Sequence, residues 1–248
     1  MKNKIKVVVP FYNASKFIER CASTLTSQKY DGDFQIIFID DASTDNSWDL
    51  LPHDNPNVKC IRNEKNVTAL LNIHNAIMDH CDVDDIVVLV DGDDWLKNKK
   101  VLSRINEIYE ENDCWIMYGQ AMWTDGRRGF ASAYSEKEFS NLRNSPFRVS
   151  HVRSFRAGLY HKIKEQDPNF SCLKDGDGEF YRMTYDVAIM FPIMEMAGLN
   201  KTLYNDEVLY IYNRDNPISD DKVNQQLQWD IHNEINKKDS FNKIDTYK

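Results

Sequence analysis

The sequence predicts an α/β domain: a Rossmann-like, mostly parallel sheet flanked by helices. Three observations carry that expectation. Strand and helix signals alternate through the first half of the 248 residues. Two strand segments are continuous apolar runs, IIFI and IVVLV, as suits strands covered on both faces. Both runs end in acidic clusters, Asp40-Asp41 and Asp91, Asp93, Asp94. Sheets of this class place ligands beyond the carboxyl ends of their strands. Two groups of carboxylates therefore arrive at the edge where a ligand is expected.

Taken in order, "KIKVVVPFY" is a β-branched strand. From Ser15, a candidate N-cap, Phe17, Ile18, Cys21 and Leu25 mark one helical face. "FQIIFIDD" is the second strand, and "STDNSWDLL" opens a short helix that ends near Pro52. "NVKCIRNE" is a third strand, and "VTALLNIHNAIMDHC" a helix with Leu70, Leu71, Ile73, Ile77 and Met78 inward. "DIVVLVD" is the fourth strand, followed by helix "KVLSRINEIYEEN" and strand "CWIMYGQAMW". The second half is less regular. It offers a strand at "FRVSHVRSF", a helix "YDVAIMFPIMEMAG" kinked at Pro192 and stopped at Gly198, and a late strand "DEVLYIYN". Val223, Leu227, Ile231 and Ile235 recur every fourth residue, which predicts a C-terminal amphipathic helix. The polar tail after Lys237 reads as frayed. With no repeat or linker, the simplest division is a main body over 1–205 and a strand, helix and tail over 206–248 packed on the same domain.

Composition narrows the function classes. A net charge of −8 argues against a broad nucleic-acid surface. Five scattered cysteines, with no CxxC pair, suggest neither a zinc site nor a disulfide framework and read as thiols of a cytoplasmic protein. The apolar run Val7-Val8-Val9 is too short for a signal peptide, and no stretch approaches membrane-spanning length. Walker A and GxGxxG patterns are absent, which leaves kinase and dehydrogenase readings remote.

An Asp-x-Asp match alone means little, since 27 Asp in 248 residues give about three by chance. Of the four present, only Asp91/Asp93 follows a strongly apolar strand at its carboxyl end. Carboxylates there share a hard divalent ion through oxygen ligands, or form a turn and helix cap. Asp40-Asp41 reads similarly, as an Asx-turn or as an acceptor for a base N–H or ribose hydroxyls.

Together, "VVVPFYNASKFIERCASTLTSQ", "IIFIDDASTDNS" and "IVVLVDGDDWL" resemble, in order and spacing, the nucleotide-sugar-dependent glycosyltransferases of family 2, which have the GT-A fold. "YDVAIMFPIMEMAG" is similar to the family's acidic segment before a helix. The resemblance implies residue roles. Pro10, Tyr12 and Asn13 would line the nucleotide pocket, and Asp41 would bind the base with Asp40 behind it. Asp91, Gly92 and Asp93 would be the Asp-x-Asp turn, with Asp91 near the ribose and Asp93 on a Mn²⁺ or Mg²⁺ that bridges the diphosphate. Asp91 and Asp94 complete the implied metal set, Asp94 being able to substitute for Asp93. Asp186 would be the catalytic base of an inverting transfer from a nucleotide-sugar, most simply a UDP-sugar, to a hydroxyl of a glycan or glycoconjugate. The chain departs from the family in two places. Many relatives carry an Arg-Asn pair on the helix before Asp-x-Asp, but no Arg lies between Arg62 and Arg104 here. The acidic doublet at the base is Tyr185-Asp186, with Glu179 and Asp177 as the other candidate acids.

The acceptor side rests on fewer residues. As a strand, "FRVSHVRSF" puts His151, Arg153 and Phe155 on one face, where they reach an anionic group or form a solvated surface. Trp123, Phe130 and Tyr134 stack on a sugar or pack in the core. Arg214 and Lys222 follow the last strand and could bring charge to the diphosphate. Two rival classes stay open: a nucleotidyltransferase, although "PFYNASKF" lacks the glycines of a phosphate loop, and a catalytically silent nucleotide-sugar-binding module.

Overall fold

A computed structural model describes residues 2–217, 222 and 224–248. Four strands, β1 (Ile5–Phe11), β2 (Phe34–Asp40), β3 (Val58–Arg62) and β4 (Ile86–Leu89), pair in parallel. The sheet continues through β5 (Trp95–Leu96), β6 (Ile116–Trp123), β7 (Ser150–Arg156) and β8 (Thr202–Tyr212), in the spatial order β3-β2-β1-β4-β7-β6-β8-β5. β7 runs antiparallel to both β4 and β6, while β6 and β8 are parallel. This reversal lays residues 150–153 beside the carboxyl end of β4, against the acidic turn.

The alternation of side chains across the pleat divides the core in two. Val7, Val9, Ile36, Phe38, Val88 and Val90 face one layer, which holds α1 (Ile18–Thr26) and α3 (Val101–Asn112). Val8, Ile37, Ile39, Val87 and Leu89 face the other, with α2 (Ala69–His80), α5 (Ala157–Gln166) and α6 (Tyr185–Ala197). α6 is buried almost all round, which explains why its sequence shows no polar stripe. It contains Pro192 and stops at Gly198, whose positive φ of 76° suits a residue without a Cβ. A short α4 (Glu136–Phe139) closes with a Ser135–Glu138 capping box, and α7 (Gln225–Asn236) packs Ile231 and Ile235 onto the body. Val223, the first residue of the predicted α7 stripe, lies outside the described residues.

Three expectations change. Ser15 does not cap α1: the cap position is Phe17, without a side-chain bond, and the Ser15 amide donates to Asp45 Oδ2 at 3.0 Å. The segment after β2 makes only a 3₁₀ turn, Trp48–Leu50. The tail is not frayed. Phe241, Ile244 and Tyr247 pack on the core, and the Ile244 amide donates to the Met196 carbonyl at 2.9 Å. Their spacing of three was the overlooked apolar signal. All five cysteines are free thiols, four of them buried, and no described helix is long and apolar enough to cross a membrane.

Candidate active site

The carboxyl ends of β1, β2 and β4 open into a cleft lined by Pro10, Tyr12, Asp41, Asp91, Gly92 and Asp93. Its acidic residues are held in place by neighbouring backbone amides and by side chains from further along the chain. Asp41 accepts from Asn63 Nδ2 (2.9 Å), the Val67 amide (2.8 Å) and the Thr68 amide (2.9 Å), so it staples the segment before α2 to the end of β2. Asp40 lies behind it, fully buried, accepting from the Ser43 amide at 2.8 Å with Arg62 Nε 3.1 Å away. Asn13 is used as a brace rather than as lining: its Oδ1 accepts from the Thr44 amide (2.8 Å) and hydroxyl (3.2 Å). Gly92 is dictated by packing, since a Cβ there would meet Phe11 Cβ at 2.4 Å. Asn13, Ala42, Thr68 and Thr184, four of the six described non-glycine residues with positive φ, fall in the loops around this edge. Such backbone persists only where surrounding contacts hold it, and it concentrates at functional sites.

The acidic turn resolves its own repulsion by drawing partners from remote parts of the chain. Tyr185 Oη donates to Asp91 Oδ1 at 2.5 Å, and His151 Nε2 lies 3.2 Å from Asp91 Oδ2. Burial works to raise Asp91, but His151, Arg153 and Tyr185 outweigh it and hold the carboxyl below its ordinary range. Asp94 is almost fully buried and accepts the Asn213 amide at 2.7 Å through Oδ1, while Oδ2 has no hydrogen-bond partner among the described residues. Burial, then the charges of Asp93 and Asp91, push Asp94 well above the usual carboxylate range. Asp93 accepts from Asn216 Nδ2 at 2.6 Å. One ligand atom each from Asp91, Asp94 and His151 lie within 4.8 Å of one another. An orphaned buried oxygen beside a second carboxylate and an imidazole is a donor set that fits a Mn²⁺- or Mg²⁺-class ion.

A second cleft, of about 560 Å³, is lined by Asp186 together with His151 and Arg153. Asp186 sits in the first turn of α6 and is not its cap; that position is Thr184, which makes no side-chain cap bond. Asp186 Oδ1 accepts the Val187 amide at 2.9 Å, and Oδ2 pairs with Arg153 Nη2 at 2.8 Å. The solvated alternative for β7 is thereby set aside: His151 and Arg153 are both buried and face the site. Burial opposes the Arg153 charge, but Asp186, Tyr185 and Asp91 overcome it and raise its pKa. For His151, burial and the adjacent Arg153 lower the imidazole against the pull of Asp91. The clefts share Tyr212, and the adjacent Tyr185 and Asp186 line one each.

Not every expected residue arrives. Lys222 lines neither cleft; its ammonium donates to the carbonyls of Arg214 and Asn216 (2.9 Å for the latter). Arg214 lines the second cleft rather than the first. Asp177 and Glu179 are exposed and line neither, while Tyr134 packs in the core. Several liners were missed, Tyr185 and Tyr212 among them. Arg182 lies in the first cleft and makes no ion pair with a described residue; Trp229 and His232 reach the second from α7. An isolated Arg and two rings on a polar helix face carry no local signal of a site.

The family model described as Glycosyl transferase family 2 matches residues 6–164. The chain belongs to that family. Over 139 residues, 54% of this chain, it is 30% identical to the poly(ribitol-phosphate) beta-glucosyltransferase of Bacillus spizizenii, of which that match covers 21%. It is 25% identical over 187 residues, 73% of this chain and 32% of the relative, to the poly(ribitol-phosphate) beta-N-acetylglucosaminyltransferase TarS of Staphylococcus aureus. The chain thus spans about a fifth to a third of these curated relatives. The crystal structure of TarS residues 1–349 superposes with a TM-score of 0.63 at 20% identity, over 85% of this chain and 60% of that one. The mannosyltransferase PcManGT of Pyrobaculum calidifontis, solved with GDP-Man and Mn²⁺, gives 0.59 at 14% identity, over 86% and 57%. These neighbours share the GT-A fold.

Proposed function

We propose that this family 2 protein is an inverting, metal-dependent glycosyltransferase that moves a sugar from a nucleotide-sugar, with UDP as the nucleotide, to an acceptor hydroxyl. The observation that carries this reading is the meeting of two clefts over one carboxylate pair, with Asp91 on the first and Asp186 on the second. The first cleft takes the nucleotide, between Tyr12 and the turn at Gly92, with Arg182 facing the diphosphate. A bound Mn²⁺ or Mg²⁺, held by Asp91 and Asp94 with Asp93 or His151, would offset charge on the leaving diphosphate. The acceptor oxygen attacks the anomeric carbon as the bond from that carbon to the diphosphate oxygen breaks. Asp186 takes the proton from the acceptor hydroxyl, and the nucleoside diphosphate leaves with the bonding pair. Arg153 is a positioning residue: its buried fork fixes the Asp186 carboxylate through the 2.8 Å bond. The donor class draws support from likeness of fold to TarS solved with UDP-GlcNAc, at a TM-score of 0.61.

The deciding experiment is a nucleotide-sugar panel with Mn²⁺, read by released nucleoside diphosphate and by thermal shift. Turnover or stabilisation by one UDP-sugar supports the reading. Binding without release under every acceptor tried would favour a silent nucleotide-sugar-binding module, and pyrophosphate release from a nucleoside triphosphate would favour a nucleotidyltransferase.

A further inference from the structure

The two most exposed large apolar side chains among the described residues, Trp229 (64% exposed) and Phe130 (61%), border the same cleft, the one that Asp186 lines. Scattered apolar side chains on a surface need no account, but two rings on one concavity do. Folding does not require Trp229 there. α7 is anchored by Ile231 and Ile235, and Trp229 lines the cleft with its ring 6.2 Å from that of His232. His232 in turn lies 6.3 Å from Phe147, which extends the ring surface to the segment before β7. From β6 and β8 comes a stacked series: Arg214 lies 5.0 Å over the Trp123 ring and 5.9 Å from Tyr212, which stacks on His151 at 5.5 Å. The cleft therefore offers aromatic faces from two separate parts of the chain and a carboxylate.

We propose that this cleft binds the acceptor as a pyranose ring, with the ring's C–H face on Trp229 and Phe130 and a hydroxyl edge toward Asp186. This rests on the transferase reading above and names the acceptor class. A pyranose carries apolar C–H bonds on its faces and hydroxyls around its edge. Its C–H hydrogens match the negative face of an aromatic ring, and its edge matches a few polar groups, here Gln228, His232 and Arg214. A polyol phosphate is the rival acceptor, being the polymer in the names of the two curated relatives. It is extended and anionic, with no ring face to stack, and would ask for cations. Of the two arginines that line the cleft, Arg153 is already paired with Asp186.

The test uses the full chain, the donor found by the nucleotide-sugar panel, and two acceptor sets: methyl pyranosides of glucose, galactose, mannose and N-acetylglucosamine, against ribitol 5-phosphate and glycerol 3-phosphate. The expected result is saturable transfer to a pyranoside. Trp229→Ala should raise the acceptor KM about tenfold, Trp229→Phe about threefold or less, while the donor KM moves less than about twofold. Phe130→Ala, outside any helix, gives a second variant should α7 misfold, and should raise the acceptor KM by at least about threefold. Transfer to ribitol 5-phosphate but to no pyranoside overturns the proposal, as does an unchanged acceptor KM in both alanine variants. If no nucleotide-sugar binds at all, the transferase reading fails instead. The platform is then judged by tryptophan fluorescence. A saturable change with a methyl pyranoside that Trp229→Phe abolishes supports it, and none overturns it.

Discussion

The first cleft, proposed above for the donor, is built around three strand ends and their turns; the second is built from side chains of distant elements. The first is made where β1, β2 and β4 end; Asp40 and Asp41 are fixed there by backbone amides of nearby loops, while Asp91 and Asp93 draw Tyr185, His151 and Asn216 from further along the chain. The second collects Trp123 from β6, Arg153 from β7, Asp186 from α6 and Trp229 from α7. A site assembled from side chains can change its ligand by single substitutions. One region is thus suited to a constant nucleotide and the other to a variable partner.

The largest expected effect tests the seam between the regions. EDTA should abolish transfer. Asp94→Ala and Asp93→Ala, assayed separately, decide which carboxylate joins Asp91 on the ion. The geometry favours Asp94, whose Oδ2 is unpartnered among the described residues, and its removal also relieves repulsion, so the fold should survive. Divalent-ion-dependent nucleotide binding measured by calorimetry is the readout. Full activity in EDTA would sink the metal assignment.

Next comes the carboxylate that belongs to the second region. Asp186→Asn should lower kcat by about 10²-fold or more and leave nucleotide affinity nearly unchanged. Near-normal turnover would reduce Asp186 to a group that binds the Val187 amide and offsets the helix dipole.

How much of this was legible follows the same divide. β1, β2, β4 and the acidic ends of β2 and β4 could be read because a continuous apolar or β-branched run is a local signal, and ligand placement at strand ends is a rule of the fold class. Asp91 as a ligand-site carboxylate could be read only through the resemblance, and its bonds to Tyr185 and His151 are tertiary. Gly92 looked like a turn glycine, and its reason, the Phe11 side chain at 2.4 Å from a would-be Cβ, is tertiary. Arg182, Trp229 and His232 were invisible because nothing near them in sequence distinguishes a site wall from a solvated face. Asn13 was read for the right loop and the wrong job, since an Asn there can brace a neighbouring loop as readily as face a ligand.

Asp41 sharpens the contrast at a smaller scale. Read from sequence it is a base contact, and in the fold it is also the acceptor of three internal hydrogen bonds. Asp41→Ala leaves two amides without their acceptor and should cost about 1–3 kcal/mol, seen as a lower urea midpoint. It should also raise the donor KM more than it lowers kcat. A variant that loses donor affinity at unchanged stability would mean the staple contributes nothing.

The smallest effect probes where the two regions press together away from the clefts. His74, on α2, bonds the Tyr160 hydroxyl at 3.0 Å and packs its ring on Phe170 and Phe180. Burial, helped by the Lys174 charge, lowers its pKa from 6.5 to about 4. The unfolded chain therefore binds a proton in a pH window where the folded chain does not. The contribution is fully present above pH 6.5 and is lost as pH falls toward about 4. Because the ring is only partly buried, solvent screening reduces the effect to about 1 kcal/mol, or about 2–4 °C in Tm for a domain of this size. His74→Gln, which cannot take the proton, should show a shallower fall in Tm between pH 6.5 and 4 than the parent. Other buried histidines titrate in both proteins and cancel in the difference. Parallel Tm curves for the two would mean that His74 gains its proton without disturbing the contact between α2 and the second half of the chain.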